Sequence, residues 1–192
     1  MSGLRVIGLS LAIVIAALVA GLFWLTSSGM SARAKPGGME RSLARTLRDI
    51  SIPKDARRMQ NPMTASPELL TEGRRHFADH CASCHGNDGR GNMEIGKNLY
   101  PPAPDMTLPA TQNLTDGELY YIIENGVRFT GMPAWGAGGT NDQETWHLVL
   151  FLRQLPQLSR EDMEDMKQHN PQSPMEMEEE RKEEEFLNES PK

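Results

Sequence analysis

The longest apolar run of the chain lies near its amino terminus. Residues Val6 to Leu25 carry no charge and follow Arg5. A helix of about 20 apolar residues crosses the roughly 30 Å hydrocarbon core of a bilayer, whereas the apolar core of a signal peptide usually has about 7–15 residues. The pattern therefore predicts an uncleaved transmembrane anchor over residues 1–27. Ala32-Arg33-Ala34 resembles a cleavage site, so cleavage is the alternative.

A second apolar pattern lies in residues 28–65, after a tether rich in serine, glycine and alanine. Four apolar residues recur there at helical spacing, namely Met39, Leu43, Leu47 and Ile50. Three arginines occupy other faces of the same segment, namely Arg41, Arg45 and Arg48. This pattern predicts a short basic amphipathic helix within a basic linker. The helix either contacts anionic headgroups or a partner subunit, or it packs on the domain that follows.

Residues 66–156 contain signals for three main helices and no strand-like alternation. A serine N-cap followed by proline predicts a helix over residues 66–80. Thr115 and Glu118 form a capping box, which predicts a helix that ends at Asn125-Gly126. A third helical pattern runs over residues 142–155 and is closed by proline. We therefore expect an all-α domain with glycine- and proline-rich loops.

Charge divides the chain into sections of opposite sign. The net charge of the whole chain is -6. Residues 26–65 carry about +5, residues 66–156 about -5 and residues 157–192 about -7. A nucleic-acid partner is excluded because the only basic section is a short linker. The acidic tail over residues 157–192 is rich in Met and Glu, and we expect it to be disordered with transient helices near residues 160–168 and 176–187.

The only two cysteines lie in one short motif, Cys81-Ala82-Ser83-Cys84-His85. This is the C-x-x-C-H pattern that attaches a c-type haem. In a helix, residues three apart share a face, so both thiols can form thioethers to one haem edge while His85 offers an imidazole to iron. A thioredoxin-like pair or a zinc site would also use C-x-x-C. No further cysteine completes a four-thiolate zinc site, and no βαβ pattern surrounds the motif.

A haem iron bound by one imidazole needs a second axial ligand. The candidates are Met93, Met106, Met132 and the remaining histidines, which we interpret as surface or packing residues. Met132 is favoured because it stands between Gly131 and Pro133 in a loop between two helices. Thioether is a soft ligand, and Met/His ligation raises the reduction potential. The alternative for a methionine is core packing.

Residues 66–156 resemble the class I c-type cytochromes, the small monohaem family. The resemblance rests on three stretches that together span about half of the chain. They are Gly73-x3-Phe77-x3-Cys81-x-x-Cys84-His85-Gly86, the proline-rich segment at 99–104, and Gly131-Met132-Pro133-Ala134-Trp135 followed by a last helix.

The resemblance implies a cytochrome c fold, with about three main helices around one covalently bound haem c and its iron. It implies that Gly73 and Phe77 on the first helix cross the last helix near Trp146 and Leu150. It also implies that a proline carbonyl holds the proximal imidazole. Pro101 or Pro102 is expected in this role.

A haem iron with both axial positions filled has no open position for substrate, so we expect an electron carrier rather than an enzyme. The leading hypothesis is a membrane-anchored cytochrome that carries single electrons between respiratory-chain or dehydrogenase partners. The first alternative is a haem subunit of a larger oxidoreductase complex. The second is a gas-sensing or catalytic haem protein in which the Met132 ligand is labile.

The expected location is the bacterial inner membrane, with the haem domain on the periplasmic side. C-type haem is attached on that outer face, although the positive-inside rule alone would keep the basic linker in the cytoplasm. An acidic haem domain favours redox partners with a basic docking face.

Overall fold

The computed structural model describes residues 2–27, 31–136, 142–172, 178 and 181–182. Within these ranges the chain forms helices and turns and no strand, which confirms the all-α prediction. The chain divides into two compact units, residues 1–34 and residues 35–192. The helices are α1 (Ser2–Ser27), α2 (Gly38–Ser51), α3 (Lys54–Arg58), α4 (Pro67–His76), α5 (Ala82–His85), α6 (Glu94–Lys97), α7 (Pro109–Gln112), α8 (Asp116–Asn125), α9 (Gln143–Gln154) and α10 (Arg160–Lys167).

Helix α1 contains the predicted apolar run. The segment Arg5–Trp24 has a mean hydropathy of 2.8 and is long and apolar enough to cross a membrane. The described side chains of α1 are exposed, as a helix surrounded by lipid requires.

Helix α2 is the amphipathic helix predicted within the linker. It contains no buried residue, and its four apolar side chains are 59–88% exposed. The apolar face of α2 is therefore not the surface that meets the following domain, and the helix instead contacts that domain through Glu40, which accepts a hydrogen bond from Tyr100. The neighbouring α3 does reach that domain, since Ala56 is buried and its carbonyl lies against Gly117 of α8.

The core of the second unit forms where α4 crosses α9. A Cβ on Gly73 would lie 2.3 Å from the carbonyl oxygen of His147, so only glycine allows this approach. Phe77 and Phe151 pack with ring centroids 5.1 Å apart, and Trp146 stacks on Tyr120 at 4.2 Å. The predicted crossing is present, but Phe151 is the aromatic partner of Phe77. Leu150, which was expected there, is only partly buried because it lies one position off the core-facing side of α9.

The helix starts follow local capping chemistry. The Oγ atom of Ser66 accepts a hydrogen bond from the Leu69 amide at 3.3 Å. Thr115 and Glu118 exchange the two bonds of the predicted capping box. Asp142 caps α9 by accepting from the amides of the second and third helical residues. Caps depend on neighbouring residues, which is why the sequence predicts these starts well.

The segment after residue 156 differs from its prediction. Helix α10 is ordered within the described residues, and its Met166 is fully buried in the core cluster. Arg74 on α4 forms ion pairs with Asp162 and with Asp165, the latter at 3.2 Å. The helix expected near residues 160–168 is therefore present, and it differs from the expectation in being attached to α4 by one buried methionine and one arginine. Most of residues 173–192 lie outside the described ranges.

Candidate functional site

The cysteine motif begins where α4 changes its helical geometry. Residues Phe77–Cys81 form a π-helical turn, and α5 continues directly with the rest of the motif. Phe77, Ala78 and Ala82 are buried and fasten this turn to the core. A π-turn inserts one residue into the helical register and often marks a functional site. The sequence pattern predicted a continuous helix here and contained no signal for the π-turn.

The two thiols are free and partly accessible. Burial, with a smaller contribution from Cys84, raises the pKa of Cys81 to about 12. Cys84 follows Cys81 by three positions, a spacing that places both residues on the same side of a helical turn.

The imidazole of His85 has one buried nitrogen. Its Nδ1 atom is inaccessible to solvent and has no hydrogen-bond partner within the described part of the chain. Burial lowers the pKa of His85, and the nearby backbone carbonyl of Pro104 opposes this. Pro104 is thus the proline beside the ring in this structure, whereas Pro101 or Pro102 was expected there. With Nδ1 turned inward, Nε2 is the nitrogen left for a metal.

Close backbone packing explains why Pro104 takes this position. The amide of Ala103 donates to the carbonyl of Gly96 at 2.9 Å. A Cβ on Gly96 would lie 2.0 Å from the carbonyl oxygen of Cys84, and one on Gly91 would lie 2.3 Å from that of Ala103. These two glycines let the chain lie directly on the cysteine motif. The sequence predicts a glycine-rich loop here, but it contains no signal for these tertiary contacts.

The loop that carries Met132 is held by local hydrogen bonds. The Met132 amide donates to the Thr130 hydroxyl at 3.1 Å, and its carbonyl accepts from the Val127 amide at 3.1 Å. Gly126 has a φ of 64° and lies so close to Pro133 that a Cβ would approach its carbonyl carbon to 2.5 Å. Met132 itself is half-buried and does not belong to the hydrophobic core cluster.

Two contacts bring the Met132 loop toward the cysteine motif. The rings of Trp135 and His80 pack edge to face with centroids 5.2 Å apart. A Cβ on Gly131 would lie 2.6 Å from the side chain of Leu99. The segment 99–104 therefore touches the Met132 loop at one end and the His85 ring at the other.

The other candidate methionines stand elsewhere. Met106 is buried in the hydrophobic core. Met93 lies beside Gly86, immediately after His85 in the chain, and 43% of its surface is exposed. Among the three methionines considered from the sequence, Met132 thus remains the one in a loop between α8 and α9.

These residues fit a covalently attached haem. Two thiols share one helical face, an imidazole has its Nδ1 buried, and a thioether stands in a separate loop joined to the motif through segment 99–104. Neutral imidazole and thioether are the donor set that low-spin haem iron takes in electron-transfer cytochromes.

Comparison with known proteins agrees with this chemistry. Residues 68–152 match the family model described as cytochrome c oxidase, cbb3-type, subunit III. The chain is 39% identical over 92 residues to the cbb3-type cytochrome c oxidase subunit FixP of Rhizobium meliloti, which covers 47% of this chain and 29% of the relative. It is 38% identical over 71 residues to subunit CcoP of Cereibacter sphaeroides, covering 36% and 22%.

A relative of another kind aligns over a longer stretch at lower identity. Thiosulfate dehydrogenase of Stutzerimonas stutzeri is 24% identical over 141 residues, which is 72% of this chain and 38% of the relative. The chain thus spans well under half the length of these curated relatives. The matched region is all-helical and contains the cysteine motif. Residues 68–152 form a c-type cytochrome domain whose cofactor is a covalently bound haem c.

Proposed function

We propose that Cys81 and Cys84 hold the haem through thioethers, and that His85 and Met132 are its axial ligands. The observation that carries this proposal is the setting of His85, whose Nδ1 is buried and whose ring lies beside the Pro104 carbonyl. An imidazole held in this way presents Nε2 in one direction only. The Pro104 carbonyl also raises the basicity of the ring and so strengthens it as a ligand.

The bound haem supplies one-electron chemistry between the ferric and ferrous states. The residues of this chain keep the site the same in both states. The glycine contacts at residues 91 and 96 fasten segment 99–104 to the cysteine motif, and the Thr130 hydroxyl fixes the Met132 backbone. Small ligand movement between the two states favours rapid electron transfer, and two filled axial positions exclude substrate from the metal.

At the level of the whole protein, the chain acts as the membrane-anchored haem subunit of a larger oxidoreductase complex. A free-standing carrier was the leading hypothesis from sequence, but the matches to FixP and CcoP favour the complex. Helix α1 anchors the chain in the bacterial inner membrane, with the haem domain in the periplasm. The domain carries an excess of acidic residues, which favours a redox partner with a basic docking face.

Purification from native membranes tests the assembly. An affinity-tagged chain, extracted in mild detergent, is expected to retain its partner subunits and to pass electrons from its reduced haem to oxygen. A His85→Ala variant should still assemble, because α1 and the core are intact, but it should lose this electron flux. Recovery of the wild-type chain alone, with a haem that exchanges electrons only with added soluble proteins, would support the free carrier instead.

The similarity to thiosulfate dehydrogenase identifies a second candidate, an enzyme that oxidises a sulfur compound. Its supporting observation is the alignment length, which extends beyond residues 68–152. The purified holoprotein, incubated with thiosulfate and an artificial electron acceptor, distinguishes the two. Catalytic reduction of the acceptor would favour the enzyme, whereas reduction of the haem without turnover agrees with a carrier.

Rapid CO binding to the reduced protein would instead indicate a labile Met132.

A further inference from the structure

Helix α2 presents an apolar face that nothing in the described chain covers. The exposed fractions are 88% for Met39, 59% for Leu43, 59% for Leu47 and 72% for Ile50. At 3.6 residues per turn these four side chains fall within an arc of about 80°. Such an aligned face is the signature of a helix that meets an apolar surface.

The opposite face of α2 is basic. Arg41, Arg45 and Arg48 centre about 170° away from the apolar residues. This separation of arginines from leucines distinguishes helices that lie in a membrane interface, with the apolar face below the headgroups and cations level with the phosphates. A helix that seats in a protein groove does not require the opposite face to be cationic.

The chain places α2 within reach of a bilayer. Only residues 28–37 join the end of α1 to the start of α2. Ten residues extend to at most about 35 Å. Once α1 spans the membrane, the surface is therefore at high effective concentration for α2. The linker around α2 adds further basic residues, and residues 31–58 hold eight Lys and Arg against three Asp and Glu.

We propose that α2 lies in the plane of the membrane surface and binds anionic phospholipids. Its apolar face enters the boundary between headgroups and acyl chains, and Arg41 and Arg45 contact lipid phosphates, whereas Arg48 is partly buried and pairs with Asp49 at 2.7 Å. The Glu40 carboxylate in its first turn accepts a hydrogen bond from the hydroxyl of Tyr100, at the start of the proline-rich segment. Attachment of α2 to the surface therefore also restricts the orientation of the haem domain.

Site-directed spin labelling of the full-length holoprotein tests this proposal. The native cysteines are consumed by the haem, so one added cysteine is labelled alone. Leu43→Cys probes the apolar face. Ala44→Cys is the matched control, since it lies next in the chain and about 100° around the helix. Both proteins are placed in nanodiscs of phosphatidylcholine with or without phosphatidylglycerol, and collisions with oxygen and a water-soluble nickel chelate are measured.

The expected result is that the label at position 43 loses collisions with the nickel chelate and gains them with oxygen, while the label at position 44 changes little. The ratio of buried to exposed label should rise when phosphatidylglycerol is present. Replacing Arg41 and Arg45 by Gln should lower that ratio by about fivefold per arginine. The haem absorption spectrum reports that each variant is folded, which α2 substitutions should not alter because the helix contributes nothing to the core.

Two results would overturn the proposal. In one, position 43 remains as accessible to the nickel chelate as position 44 in discs that contain phosphatidylglycerol. In the other, position 43 is protected only when co-purified subunits are present and is exposed in discs of either composition. That result would assign the apolar face to a protein partner.

Discussion

The contact between Gly73 and α9 permits a quantitative prediction. A methyl group at residue 73 would lie 2.3 Å from the His147 carbonyl oxygen, 2.8 Å from its carbon and 3.0 Å from Cβ of Phe151. Ordinary contact begins at 3.4 Å, so the helices would have to separate by about 1.1 Å. Two of the three atoms are backbone, and no side-chain rotation can relieve the overlap.

The energetic cost of Gly73→Ala follows from two opposing effects. Overpacking of a tight core costs about 1–3 kcal/mol, and a rigid backbone neighbour places this site near the upper end. Alanine in place of glycine within a helix returns about 1 kcal/mol. The expected net loss is about 2 kcal/mol, or a lowering of the melting temperature by about 10 °C for a domain of this size.

Thermal unfolding of the holoprotein, followed through the haem absorption band, measures this loss. Gly38→Ala is the control, because a Cβ there has no neighbour within 4 Å, and its melting temperature should equal that of the wild type. If Gly73→Ala melts at or above the wild-type temperature, the close crossing of α4 and α9 is refuted.

Three further predictions concern the core and the electrostatics of the domain. Met166→Ala should cost about 2–5 kcal/mol in the free energy of unfolding, because its side chain is fully buried, whereas the exposed Lys167→Ala should be nearly neutral. Thr145→Val removes the hydroxyl that donates to buried Glu124 at 2.7 Å, so urea unfolding should report a loss of about 1–3 kcal/mol, and Thr145→Ser should recover most of it. Burial and the nearby His80 lower the pKa of His76, so the unfolded state binds this proton more readily. The wild-type protein should therefore lose stability relative to His76→Gln as the pH falls below about 6.5, and equal pH profiles would show that His76 does not contribute.

The sequence predicts features that depend on neighbouring residues. The starts of α4, α8 and α9 follow from the caps at Ser66, Thr115 and Asp142. The cysteine motif is likewise local, so its residues and their spacing identify the haem chemistry without any knowledge of the fold.

Features that depend on distant contacts were not predictable in the same way. Four prolines lie in residues 101–109, and only the tertiary approach of Gly91 and Gly96 selects Pro104 as the neighbour of His85. Helix α10 is polar and acidic by composition, and its order depends on one methionine and on Arg74, which is 88 residues away from Asp162. The π-turn at Phe77–Cys81 has no sequence signal because each of its residues is also compatible with an α-helix.

We expect that this chain holds a haem c between His85 and Met132. The absorption spectrum of the oxidised holoprotein tests it most directly, since methionine sulfur bound to ferric haem gives a weak charge-transfer band at the red end of the spectrum. We expect this band in the wild type and in Met93→Leu and Met106→Leu, and its loss in Met132→Leu. A band that persists in Met132→Leu would show that Met132 is not the iron ligand.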